Sequence, residues 1–300
     1  MNQEQNKDYY NDEIDLKELF LIAWKKKYFI LIISALFGIA SVFYALSLPN
    51  FYASSALLAP ANQDQSFSSK LGGVSGLASL AGVGLPSSSA SKTEEALERI
   101  KSYKFFSEYF LPNIKLEELM AVKKWDSKTK KIIYNKDLFD TNTNKYTKQA
   151  RPSNLKAYEK YKKILSMNVD ETGFVSISIE HHSPTLAKEW LDLIIYNINE
   201  SMRELDKQDA QNAIDYLNES SKYTNIISIK EVMNKLLESK MQTLMLAASN
   251  KAYVFKTLDS PIVPEVKSGP FRSIICVFGT IIGSFLSILV VFIQHYARPS

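Results

Sequence analysis

"YFILIISALFGIASVFYALSL", Tyr28 to Leu48, runs for 21 positions without a charged residue. As an α-helix it would extend ~31 Å, close to the ~30 Å hydrocarbon thickness of a bilayer. "SIICVFGTIIGSFLSILVVFI", Ser273 to Ile293, repeats the pattern near the other end. Lipid offers backbone polar groups no partners, so both segments are expected to be transmembrane helices. A cleaved secretory signal is the rival reading of the first, because Ala45 and Ser47 make a small-x-small site. Signal apolar regions are shorter, ~7–15 residues, and lie closer to the N-terminus. The two spans therefore decide the fold.

Lys25, Lys26 and Lys27 abut the first span, and the positive-inside tendency assigns residues 1–27 to the cytoplasm. Two crossings return residues 294–300 to the same side. Residues 49–272 then form an exported, periplasmic domain. Lys267 and Arg272 run against the trend, but long loops translocate largely regardless of charge. With 46% hydrophobic and 12% aromatic residues, the chain can supply that domain with a core. Its single cysteine, Cys276, lies inside the second span, so the exported domain holds together without a disulfide. A net charge of +4 gives no ground for nucleic-acid binding.

Ahead of the first span, "NDEIDLKELFLIAWKKK" predicts a short amphipathic helix. Asp15 is its expected cap, and Leu16, Leu19, Phe20 and Trp24 share a face suited to the bilayer interface. Beyond the span, "FYASSALLA" predicts a strand. "SKTEEALERIKSYKFFSEYF" predicts one helix, with Ser91 and Glu94 as a capping box. Residues 113–152 are polar and weakly periodic, with "KKWDSKTKK" in a turn, and Ser153 to Lys163 predicts a short helix. "LSMNVDETGFVSISIE" alternates, turns at "DETG" and alternates again, which is a hairpin pattern. Ser183 and Pro184 open a long helix whose stripe is Leu186, Trp190, Leu193, Ile194 and Ile198. A break at Thr224–Asn225 and a second helix follow, reading as an antiparallel helical hairpin. "AYVFKTL" is the expected last strand. "DSPIVPEVKSGP", with Pro261, Pro264 and Pro270, is an extended connector into the second span.

These elements predict an α+β membrane protein. Transmembrane helices at 28–48 and 273–293 flank a periplasmic domain, 49–272. A small mixed sheet sits at its base, over 49–200 and 250–262, and a helical hairpin projects from about 201–249.

No catalytic signature emerges. The stretch Lys70 to Ser91, "KLGGVSGLASLAGVGLPSSSAS", holds half of the ten glycines but lacks the G-x-x-x-x-G-K-[ST] of a phosphate loop. Its leucines keep an approximate helical period. A glycine-weakened packed segment and a mobile apolar surface are both compatible with it. His181 and His182 point to opposite faces of a strand, with no third metal ligand evident. Neither a cofactor site nor a metal site is expected. In the second span Gly279, Gly283 and Ser287 recur at i, i+4 and i+8, and Ser34 and Gly38 offer a shorter version in the first. Small residues at that spacing let membrane helices approach closely.

The chain resembles the Wzz-type polysaccharide chain-length determinants, or polysaccharide co-polymerases. The phrases that carry the resemblance are "EIDLKELFLIAWKKKYFI", "YASSALLAP", "GLASLAGVGLP", "EEALERIKS", "TGFVSISIEHHSPTLAKEWLDLIIYNINESM" and "QTLMLAASNKAYVFKTLDSPIVPEVKSGPFR", in that order. Residues 113–152 carry least of it. The resemblance implies a non-enzymatic, inner-membrane homo-oligomer that sets O-antigen or related lipopolysaccharide chain length with a membrane polymerase. Contact with lipid-linked polysaccharide is a further implied possibility. Some relatives carry a cytoplasmic tyrosine kinase, which the short "QHYARPS" tail is expected to lack. The alternatives are an export adaptor for capsule or exopolysaccharide that activates a separate kinase, and a two-span sensor.

Overall fold

The computed structural model describes residues 16–61, 89–147 and 151–296. The Asp15 cap, the tail beyond 296 and most of the Lys70–Ser91 stretch lie outside them. In chain order the elements are helix α1 (Leu16–Lys25), helix α2 (Lys27–Ser47), strand β1 (Tyr52–Pro60) and helix α3 (Ser89–Lys101). Strands β2 (Val122–Asp126), β3 (Lys131–Tyr134), β4 (Phe139–Asp140) and β5 (Lys145–Tyr146) follow. Then come helix α4 (Asn154–Ile164), strands β6 (Leu165–Val169) and β7 (Val175–His181), helices α5 (Pro184–Tyr223) and α6 (Ile227–Ser249), strand β8 (Phe255–Asp259) and helix α7 (Arg272–Tyr296). The chain forms two compact units, one of residues 1–49 with 269–300, the other of residues 50–268.

In the first unit, α2 and α7 are long and apolar enough to cross a membrane. Only 6% of the apolar window of α2 and 17% of that of α7 is buried, whereas a soluble protein's core helix would be mostly covered. Large side chains such as Leu31, Phe43, Phe278 and Phe285 stand exposed, as lipid-facing residues do.

The second unit is built on a four-stranded sheet of order β6-β7-β1-β8. The expected mixed sheet is corrected here, since every pairing in it is antiparallel. The DETG turn forces β7 back along β6, and β8 returns beside β1 in the opposite sense. Alternation sets the register. Val175, Ile177 and Ile179 of β7 are fully buried, and they oppose Val169, Met167 and Leu165 on β6 and Leu58, Ala56 and Ser54 on β1. On that face lie Leu186, Trp190, Leu191, Ile194 and Ile198 of α5. Ser183 caps α5 by accepting from Leu186 N–H, with Pro184 in the first turn.

Two further expectations change. The single helix expected over 91–110 begins at Ser89 and stops at Lys101. Ser102 turns extended and its Oγ accepts from Phe105 N–H, which starts a new irregular helical stretch. That stretch continues through a π-turn at Phe106–Phe110 and a 3-10 turn at Leu111–Asn113. It places Phe105, Phe106 and Phe110 all in the core, with Phe106 and Phe110 against Tyr161 and Phe110 also against Trp190. The segment 113–152, expected to be largely irregular, holds a short helix (Leu116–Met120) and two β-hairpins, β2–β3 and β4–β5. The predicted turn falls between β2 and β3.

Beyond Met202, α5 emerges from the core, and Ala210 and Ile214 are its only buried residues there. It pairs with α6 as a helical hairpin, and α6 buries Ala247 alone.

Candidate functional site

Among the described residues, the candidate sites are contacts between elements. The first joins α2 to α7. Four pairs step along two antiparallel helices: Ser34 with Ser284, Phe37 with Gly283, Gly38 with Thr280, and Ser41 with Gly279. The Oγ atoms of Ser284 and Ser34 lie 2.9 Å apart. A Cβ on Gly283 would come within 2.5 Å of Phe37 Cβ, and one on Gly38 within 3.1 Å of Thr280 Oγ1. On Gly279 it would strike the Ser41 side chain outright. These glycines are therefore required by close approach.

Ser287 is buried, its Oγ donating to the Ser284 carbonyl at 2.7 Å. Ser41 Oγ likewise donates to Gly38 O at 2.8 Å, so the interface hydroxyls are satisfied locally rather than stranded in lipid. Arg272 donates to the Leu48 carbonyl at 3.2 Å, filling one of the orphan acceptors at the end of α2. The structure thus brings Ser34, Gly38, Gly279 and Gly283 into one contact within the chain. Phe37, Ser41, Thr280 and Ser284 were missed by sequence reasoning. Polar residues in otherwise apolar spans were the signal for three of them.

The second candidate, in the larger unit, is the root of the helical hairpin. Asn199 Oδ1 accepts from both Val254 N–H (2.8 Å) and Phe255 N–H (2.9 Å), fastening α5 to the start of β8. One turn or two further out, Asp206 accepts from Lys92 Nζ at 2.6 Å and from Tyr253 OH at 2.5 Å. Burial raises the Tyr253 phenol above its ordinary pKa and the Asp206 carboxylate raises it further, so it stays protonated and donating. This cluster ties α3, α5 and the segment after α6 together. Nothing in the helical periodicity pointed to it.

At the end of β7, His181 is buried against Trp190. Its Nε2 donates to Glu118 O at 2.9 Å, and its Nδ1 accepts from Ser183 N–H at 3.0 Å. Only the neutral ring satisfies both bonds, and burial holds its pKa down at about 4. His182 stacks on Phe51 and meets Asn50 O. Burial lowers its pKa too. Among the described residues no three His, Cys, Asp or Glu side chains gather as a metal site.

The connector lies along β1. Ser54 Oγ donates to Ile262 O, Ser268 N–H donates to Phe51 O, and Ser268 Oγ donates to Glu180, each at 2.7–2.8 Å. Pro261 is buried in this run and Pro264 half-buried. Pro270 belongs to the smaller unit and follows a cis peptide bond.

Residues 12–111 match the family model described as Wzz, chain length determinant protein, the family that the sequence resembles. No curated protein matches the chain. Among solved structures, a full-length bacterial polysaccharide co-polymerase is similar at 12% identity and a TM-score of 0.38, over 95% of this chain and 98% of that one. A fragment of WzzB, a polysaccharide co-polymerase from Salmonella Typhimurium, is similar at 14% identity and a TM-score of 0.29, over 73% of this chain and all of that one.

Proposed function

We propose that this chain, which carries the Wzz chain-length-determinant region, regulates the length of O-antigen or a related surface polysaccharide. It does so without catalysis, as a homo-oligomer in the inner membrane beside a polysaccharide polymerase. The family match over residues 12–111 carries this reading, because it runs from the helix before the first span into the adjoining domain. Two apolar helices flanking a domain of residues 50–268 support it, and so does the run Lys25–Lys27, which favours cytoplasmic termini. A scaffold completed by neighbouring copies needs no pocket of its own.

The test is a deletion strain complemented with the gene. Loss of the modal band on a polysaccharide ladder, restored by the intact chain, is the expected result. An unchanged ladder with an active polymerase would overturn the proposal. Within this reading, Ser34, Gly38, Gly279, Gly283 and Ser287 keep the spans in register. Gly283→Leu is expected to broaden or shorten the length distribution while export continues. Unaltered oligomers and an unaltered ladder would show that close approach of α2 and α7 is dispensable.

A further inference from the structure

Where α1 meets the first turns of α2, the smaller unit carries an open groove of about 340 Å³. Phe20 and Trp24, their rings stacked at 5.8 Å, line it together with Ile30 and Leu31. Ser34 and Ser284, joined through their hydroxyls, also line it. Lys27 lies on the rim, its Nζ 4.9 Å from the Trp24 ring centre and 5.4 Å from that of Tyr28.

The cation is held by aromatic faces and has no carboxylate partner among the ion pairs of the described residues. Lys25 and Lys26 adjoin it in sequence and lie outside the lining, so Lys27 is the cation among the residues that line the groove. The walls below are apolar. A positive rim over an apolar trough between membrane helices complements a phosphate joined to an acyl chain. Basic pockets of this kind on the cytoplasmic side bind anionic lipid headgroups.

We propose that this groove is a site for an anionic glycerophospholipid of the leaflet that faces Lys25–Lys27. The phosphate sits against Lys27, and one acyl chain follows Leu31 toward Ser34 and Ser284. The site rests on the two-span reading but not on polysaccharide length control. It survives if the deletion strain's ladder is unchanged.

The experiment is native mass spectrometry of the full chain in detergent, titrated with phosphatidylglycerol and, separately, with phosphatidylcholine. Preferential retention of phosphatidylglycerol is expected. One lysine near a lipid surface is worth about a fivefold change in affinity, so Lys27→Gln should weaken retention by roughly that factor. Ala23, which also lines the groove, is small, and Ala23→Leu should fill the trough and abolish the preference. Lys26→Gln, outside the groove lining, should have a smaller effect than Lys27→Gln. Equal retention of the two lipids by the unaltered chain would overturn the proposal without recourse to any variant. So would equal losses for Lys26→Gln and Lys27→Gln with Ala23→Leu silent, because the attraction would then be that of a charged surface. Displacement of phosphatidylglycerol by a polyprenyl phosphate at lower concentration would assign the groove to that lipid instead. Displacement by dimerisation of the chain would assign it to a second copy.

Discussion

The 40-residue helix α5 passes through two environments without a break. Its inner half, to Met202, buries Trp190, Leu191, Ile194 and Ile198 against the sheet and the Phe106–Phe110 turn. Its outer half is held by local means, such as the Lys207–Glu204 and Lys222–Glu219 pairs and contact with α6. Such exposed pairs each contribute only ~0.2–0.5 kcal/mol. Tertiary packing thus sets the position of the inner half, whereas propensity sustains the outer half. The boundary is marked by Asn199 and Asp206.

That contrast can be attacked from its strong end. Trp190→Ala should cost about 3–5 kcal/mol, read as a lowered unfolding midpoint of the detergent-solubilised chain. A loss under about 1 kcal/mol would mean the inner half is not anchored by this side chain. Next in size is a pH effect. His181 titrates near 6.5 when unfolded and about 4 when folded, so the unfolded chain binds more protons between those values. Stability should be complete above the unfolded value and fall as pH drops from there to 4, by up to about 3 kcal/mol. Glu118, whose pKa burial raises, opposes this in part, since it binds its proton more readily when folded. The slope between pH 7 and 5 should flatten in His181→Asn, and an unchanged slope would locate the titration elsewhere.

At the boundary, Asn199→Ala strands two buried N–H groups and should cost about 2 kcal/mol. Hydrogen exchange should rise at Val254 and Phe255 before it rises at Ile198. Smallest is Tyr216→Ala on the outer half, which is 73% exposed. It should stay within about 0.5 kcal/mol of the parent. A larger loss would reveal that the outer half is packed against something in the assembled protein.

Legibility followed the same division. Elements with strong period and explicit caps were readable: the spans, α5 with Ser183 and Pro184, and the β6–β7 hairpin with Gly173 at φ +85°. The two hairpins in 113–152 were not, because each strand is too short to establish alternation. Their signal lies in the turns. "DSKTK" at Asp126–Lys130 and "DTNTN" at Asp140–Asn144 share Asp-x-x-Thr-x, and the last residue of each has positive φ. Each Asp accepts from the N–H two residues on and from the Thr hydroxyl, which holds its carboxyl below the usual range. The break at Ser102 was hidden because "ERIKSYKFF" keeps a helical period across it. The Ser34–Ser284 and Phe37–Gly283 pairs needed the register between two helices more than 200 residues apart, which neither helix specifies alone.

The bond from Ser268 N–H to Phe51 O has a consequence for assembly. It fixes the two ends of the 50–268 insertion side by side, at Phe51 and Ser268, converting a separation of over 200 residues into a short tether on each side. Once that insertion has folded, α2 and α7 meet at an effective concentration of order millimolar or above, however weak their intrinsic attraction. The domain thereby acts as a chemical linker for its own anchors.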